Sequence, residues 1–176
     1  MNNEALNVLL ERRAIRKFKS EQIKDEELDA VLKAGTYAPT GKGTQQPVIV
    51  AVQDKNLRDR VSKLNAKIMG TDSDPYYGAP TIVIVFASKD AYDHDIAVMD
   101  CAAVTTNILN AAYAVGLGSC WINRPMAMFK TDEGKELLKD MGIEQPLTGV
   151  ASVALGYADC VLPEPKPRKE GYIIKV

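Results

Sequence analysis

Ala5, Leu6, Val8, Leu9 and Leu10 give residues 3–13 an apolar face and predict a first helix there. A second helix is expected over about 25–37, burying Leu28, Val31 and Leu32 and ending near Gly35. Asp25 reads as its N-cap, with Glu26 and Glu27 complementing the helix dipole in the first turn. Residues 38–47 are dense in turn formers and read as a loop. Strands are expected at Val48–Val52, Thr81–Phe86, Ser119–Ile122 and Gly149–Leu155, with helical segments between them. The run Thr81–Phe86 is apolar without alternation, so both of its faces should be covered. The pattern predicts an α/β (α+β) three-layer domain with the sheet as its middle layer.

Residues 95–115 form the most unusual helix. They contain no Lys, Arg or Glu over about 30 Å. A helix so apolar and small-sided is buried all round. Either a single subunit hides it, or two copies meet along it; the expected reading is a homodimer. Asp100, Asn107 and Asn110 argue against a membrane span. One domain over 1–176 is expected, with 160–176 as an extended C-terminal arm, because Leu162–Arg168 alternates proline with other residues.

Charge then singles out one segment. The formal net charge is −1, yet Arg12, Arg13, Arg16, Lys17 and Lys19 crowd the end of the first helix. Five cations in a mildly acidic chain (pI near 5.9) point to one local anion rather than a nucleic acid. A solvated charged turn is the bland alternative. The opening residues lack a signal-peptide pattern, and no apolar run is long enough for a membrane span. Cys101, Cys120 and Cys160 are odd in number and widely spaced, as in a reduced, cytoplasmic protein.

Familiar motifs fail on inspection. Gly41-Lys42-Gly43-Thr44 lacks the spacing of a P-loop and follows a helix. Gly116-Leu117-Gly118 has Trp121 at the third glycine position and reads as a helix C-cap and turn. His94 is the only histidine, and no metal-ligand cluster is visible, so no catalytic side chain and no metal are assigned. Any reactive group should come with a cofactor. Two basic segments, Arg12/Arg13/Arg16 and Lys166-Pro167-Arg168, flank a glycine-rich loop with Gln45 and a strand end at Trp121. A phosphate, polar ring edges and a flat apolar ring would satisfy them together. Flavin mononucleotide (FMN) fits that description, as would other phosphorylated aromatics.

In these residues the chain resembles the nitroreductase family of FMN-dependent oxidoreductases. Arg12–Phe18 is similar to that family's Arg-Arg-Ser-x-Arg-x-Phe motif, and Ala38–Gln45 to its Ala-Pro-Ser-x-x-Asn-x-Gln loop. Gly116–Trp121, Leu155–Tyr157 and Pro167-Arg168 resemble its later blocks. The resemblance implies a mixed sheet sandwiched by helices and a homodimer built on the long helix, with FMN at the subunit interface. By the same resemblance, Arg12 and Arg168 would bind the FMN phosphate, with Arg13 and Lys166 beside them. Arg16 would sit at the pyrimidine edge. Gln45, Lys42 and Asn65 would meet the ring edge or ribityl chain, and Trp121, Ile122 and Asn123 would line the ring. Pro39, Thr40 and Gly41 would reach the flavin of the opposite subunit.

The departures are specific. Ala14 replaces the motif's serine and could contribute only its amide; Gly43 stands where asparagine is common; Gln46-Pro47 replaces Pro-Trp. The segment between about 69 and 79 is short, so the helical excursion that covers the active site in larger relatives should be reduced or absent. The implied activity takes hydride from NADPH or NADH and reduces nitroaromatic, quinone or similar acceptors by a ping-pong mechanism. Flavin storage or sensing, dehalogenation and flavin destruction are the alternatives.

Overall fold

The computed structural model describes residues 3–89 and 93–176. Among these described residues, six α-helices and four strands follow the order α1 (Glu4–Glu11), α2 (Asp25–Thr36), β1 (Val48–Val52), α3 (Lys55–Met69), β2 (Thr81–Ser88), α4 (His94–Ala114), β3 (Gly118–Ile122), α5 (Pro125–Met128), α6 (Asp132–Asp140) and β4 (Leu147–Gly156). The strand order is β1-β2-β4-β3, and each of these pairings is antiparallel. The parallel element is a bridge from Ala14 to Ser119, at the outer edge of β3.

Strand β2 sits at the centre, and its side chains alternate between two apolar layers. Ile82, Ile84 and Phe86 join the core with Val61, Leu64, Met128 and Leu137. Val83, Val85 and Ala87 face Val31, Cys101, Val104 and Ile108. Helices therefore cover both faces, as the unbroken apolar run predicts. Helices α2 and α4 approach closely at Gly35, where a Cβ would meet Ile108 Cγ1 at 2.9 Å.

Several boundaries differ from expectation for local reasons. α1 stops at Glu11, because Arg12 turns extended (ψ 132°) to reach β3. Asp25 is the first helical residue of α2 rather than its cap; Lys24 occupies the cap position, its amide donating to Glu27 Oε2 at 3.1 Å. β2 runs to Ser88 and β4 from Leu147, because sheet pairing extends beyond the apolar runs. Within one chain α4 is not covered all round. Its open stripe includes Met99, which is 61% exposed, and Thr106. No residue of α1 is buried, and residues 160–176 are exposed throughout.

Candidate functional site

The cationic segment starts at the end of α1 and runs beside β3. Ile15 N donates to Ser119 O at 2.9 Å, while Ile15 and Phe18 enter the core. Arg12 and Arg13 are half-buried and line a cavity of about 180 Å³ with Tyr113, Gly118, Ser119 and Cys160. Arg13 Nη1 donates to Leu10 O and Arg12 O at 2.7 and 2.8 Å, and its buried Nε has no partner. Among the described residues, none of Arg12, Arg13 and Arg16 forms an ion pair. Lys17 is different, bridging to Asp159 at 2.9 Å. Burial, and then Arg13, lower the Arg12 pKa from its ordinary value, with Cys120 opposing. Burial raises the Cys120 thiol against the opposing charges of Arg16 and Arg12. Half-buried cations with no acid between them favour an anion at their mouth.

The turn-rich loop is anchored at the other end of α4. Gly41 N donates to Asp100 Oδ1 at 2.9 Å. Gln46 Nε2 reaches Ala97 O and Asp100 Oδ2 at 3.3 and 3.4 Å, and Gln46 Oε1 accepts from Ser88 N. Inside the loop, Thr40 Oγ1 accepts from Gln45 N at 3.0 Å. Lys42, Gly43 and Gln45 all have positive φ. Thr40 and Gln45 line a second cavity, of about 270 Å³, against Val104 and Ile49. Pro39 and Lys42 are exposed beside it.

The strand end forms the third part. Trp121 is half-buried, its Nε1 donating to Asn123 Oδ1 at 2.8 Å. Behind it runs a directed polar chain. Asn65 Nδ2 donates to Tyr76 Oη (3.1 Å), Tyr76 to Ser152 Oγ (3.0 Å), and Ser152 to Ile122 O (3.0 Å). Asn65 Nδ2 also reaches Asn123 O, and its Oδ1 accepts from Arg124 Nε. Asn65 is fully buried, so its amide holds the 122–124 backbone and presents no open face in this chain. Burial raises the Tyr76 phenol, although Ser152 and Asn65 oppose it.

The chain thus brings Arg12, Arg13, Ala14 and Arg16 beside β3, and Trp121, Ile122 and Asn123 at the end of the same strand. It does not bring the 39–45 loop to them. Asp100, which holds the loop, and Tyr113, which lines the arginine cavity, lie thirteen positions apart on α4. That is about 20 Å along the helix axis. Lys166 and Arg168 lie on the exposed arm. A further cavity, about 840 Å³ between Lys89, Phe129 and Lys139, contains none of the expected residues. His94 is exposed at the start of α4. Among the described residues no cluster could hold a metal, and no helix is long and apolar enough to cross a membrane.

A profile of the Nitroreductase family matches residues 9–157. The chain belongs to the nitroreductase family. A crystal structure of a Bacteroides fragilis nitroreductase with bound FMN is 31% identical, at TM-score 0.87, over 99% of this chain and 100% of that one. A Desulfitobacterium hafniense nitroreductase with bound FMN is 27% identical, at TM-score 0.88, with both chains fully covered. An Archaeoglobus fulgidus protein, provisionally named NADH dehydrogenase/NAD(P)H nitroreductase, is 30% identical over 170 residues, 96% of this chain and 90% of its own.

Within this nitroreductase fold, Asp100, Tyr76, Ser152 and Arg124 hold the loop and the strand end of the candidate site, and motif reading missed them. Asp100 had a signal, as the one acid in the interior of an otherwise apolar helix. The others had none, since their partners are far away in sequence.

Proposed function

We propose that this chain is an FMN-dependent oxidoreductase taking hydride from NADPH or NADH and reducing nitroaromatic, quinone or similar electron-poor acceptors in alternation at one site. The observation carrying the reading is the half-buried Arg12–Arg13 pair, without an ion-pair partner among the described residues and with an orphaned Arg13 Nε, beside the strand that carries Trp121. Those groups fit a phosphate joined to a flat ring system.

Arg12 and Arg13 would hold the phosphate, joined by Lys166 and Arg168 from the arm. The Ala14 amide and Arg16 would meet the polar ring edge. Trp121, Ile122 and Asn123 would lie along the ring, their backbone fixed by Asn65, Tyr76 and Ser152. When bound, FMN supplies the redox chemistry: hydride from NAD(P)H plus one proton takes a nitro group to nitroso and water, or a quinone to hydroquinone. Arg16 places a permanent positive charge where negative charge accumulates during reduction. No side chain is required as an acid or base, since water can deliver the proton.

The site is completed in a homodimer. The separation of the loop from the arginines along α4 leaves two half-sites per chain. A second copy packed along α4 in the opposite sense would bring its Pro39, Thr40, Gly41, Lys42 and Gln45 toward the first copy's arginines. The open stripe on α4, the uncovered Leu9 and Leu10 and the exposed arm supply the apolar surface for such pairing. Quenching of FMN fluorescence on titration, with sedimentation of the same sample, tests both parts. Stoichiometric quenching by a dimer supports the reading, and no quenching rejects it.

A further inference from the structure

Arg124 has φ 87°, in the left-handed region that arginine rarely enters. Its Nε donates to Asn65 Oδ1 at 2.8 Å, and its Nη2 lies 3.3 Å from the Met69 sulfur. Its Nη1 has no protein partner, and the residue joins no ion pair, among the described residues. Asp74 is the one carboxylate lining the adjacent cavity, and it is committed elsewhere. It accepts from Arg58, Ser62 and the amides of Tyr76 and Gly78. The cavity, about 190 Å³, is lined by Trp121 and Tyr77, with Met69, Pro75 and Ile122 in its apolar wall. It is sized for one aromatic ring with a single cation at its rim.

We propose that Arg124 is a specificity-determining residue that selects aromatic electron acceptors bearing a carboxylate or comparable anionic group. The inference rests on the flavin oxidoreductase reading and adds a substrate class to it. Trp121 and Tyr77 supply faces for a flat ring. The guanidinium fork matches a carboxylate in two parallel hydrogen bonds. Buried Asn65 keeps that fork in one orientation, so the anionic end of the acceptor is fixed and its reducible end is directed toward Asn123. Asn65 acts here as a positioning residue.

The test compares 4-nitrobenzoate with 4-nitrobenzamide, which share ring and nitro group and differ in charge. In the FMN-loaded protein, Arg124→Gln should lower the ratio of their kcat/KM values about tenfold, and Arg124→Lys should restore part of it. Benzoate, which is not reduced, provides a second readout through Trp121, the chain's only tryptophan. Its fluorescence titration should show about tenfold weaker binding in Arg124→Gln, with the flavin spectrum confirming a loaded, folded variant. An unchanged nitrobenzoate-to-nitrobenzamide ratio with unchanged benzoate affinity overturns the proposal. So does a result in which Arg124→Gln alters only the NADPH-to-NADH ratio in the anaerobic reduction step, which would assign the arginine to a nucleotide phosphate. If NAD(P)H fails to reduce the bound flavin, the oxidoreductase reading falls while the benzoate titration still decides whether Arg124 binds the anion.

Discussion

Asp100 Oδ1 accepts a hydrogen bond from the Gly41 amide at 2.9 Å, tying the turn-rich loop to the long helix α4. The same carboxylate receives Gln46 Nε2 through its other oxygen at 3.4 Å. One buried acid therefore fixes where the loop meets α4. Asp100→Ala should cost about 1–3 kcal/mol, because a backbone donor is left without its partner. Asp100→Asn keeps one acceptor and should lose less. Urea denaturation of the two variants checks the ordering.

Arg12 should contribute to FMN affinity more than its exposed neighbour Lys19. Loss of a charge-assisted hydrogen bond to phosphate costs about 1.5–3 kcal/mol, roughly 10- to 150-fold in Kd. Fluorescence titration of Arg12→Gln should show that weakening, and Lys19→Gln should stay within about threefold of the unmodified protein.

The Asn65–Tyr76–Ser152 chain makes a separate prediction. Tyr76→Phe leaves the ring in place and removes the hydroxyl joining Asn65 to Ser152. A loss of about 1–2 kcal/mol is expected, seen as a lower denaturant midpoint at unchanged slope. Because Ser152 still reaches Ile122 O, the fold should survive.

Sequence pattern carried the layers well, because burial on both sheet faces leaves a direct mark on the order of apolar residues. Thr81–Phe86 is the clearest instance: Ile82 and Ile84 enter one core, Val83 and Val85 the other. Caps were less legible. Asp25 and Lys24 compete within one residue, and the outcome turns on Glu27 reaching back to the Lys24 amide. The arginines were visible as charge out of keeping with the chain's balance. Arg124 and Asn65 were not visible as a pair, since 59 residues separate them and neither breaks a local pattern. Nor could the sequence reveal that the loop and the arginines occupy opposite ends of α4, which depends on Asp100 pointing back at Gly41.

Acid should destabilise the 71–79 turn through Asp74. Burial alone would raise its pKa, but hydrogen bonds from Ser62, Arg58, Tyr76 and Gly78 outweigh that and hold it below its ordinary value. The unfolded carboxyl, near 3.9, then binds protons more readily than the folded one. Its contribution is complete above about pH 5 and is lost as pH falls through the folded pKa. Asp74→Asn should lower stability at neutral pH and flatten the acid limb of the stability curve, measurable by denaturation between pH 3 and 7.

The most direct test is an absorbance spectrum of FMN-loaded protein during anaerobic addition of NADPH and then NADH. Rapid bleaching of the flavin bands by at least one nucleotide, followed by their return on adding a nitroaromatic or quinone, is the predicted result. No flavin retained after incubation with FMN, or bands that persist with both nucleotides, would contradict the account.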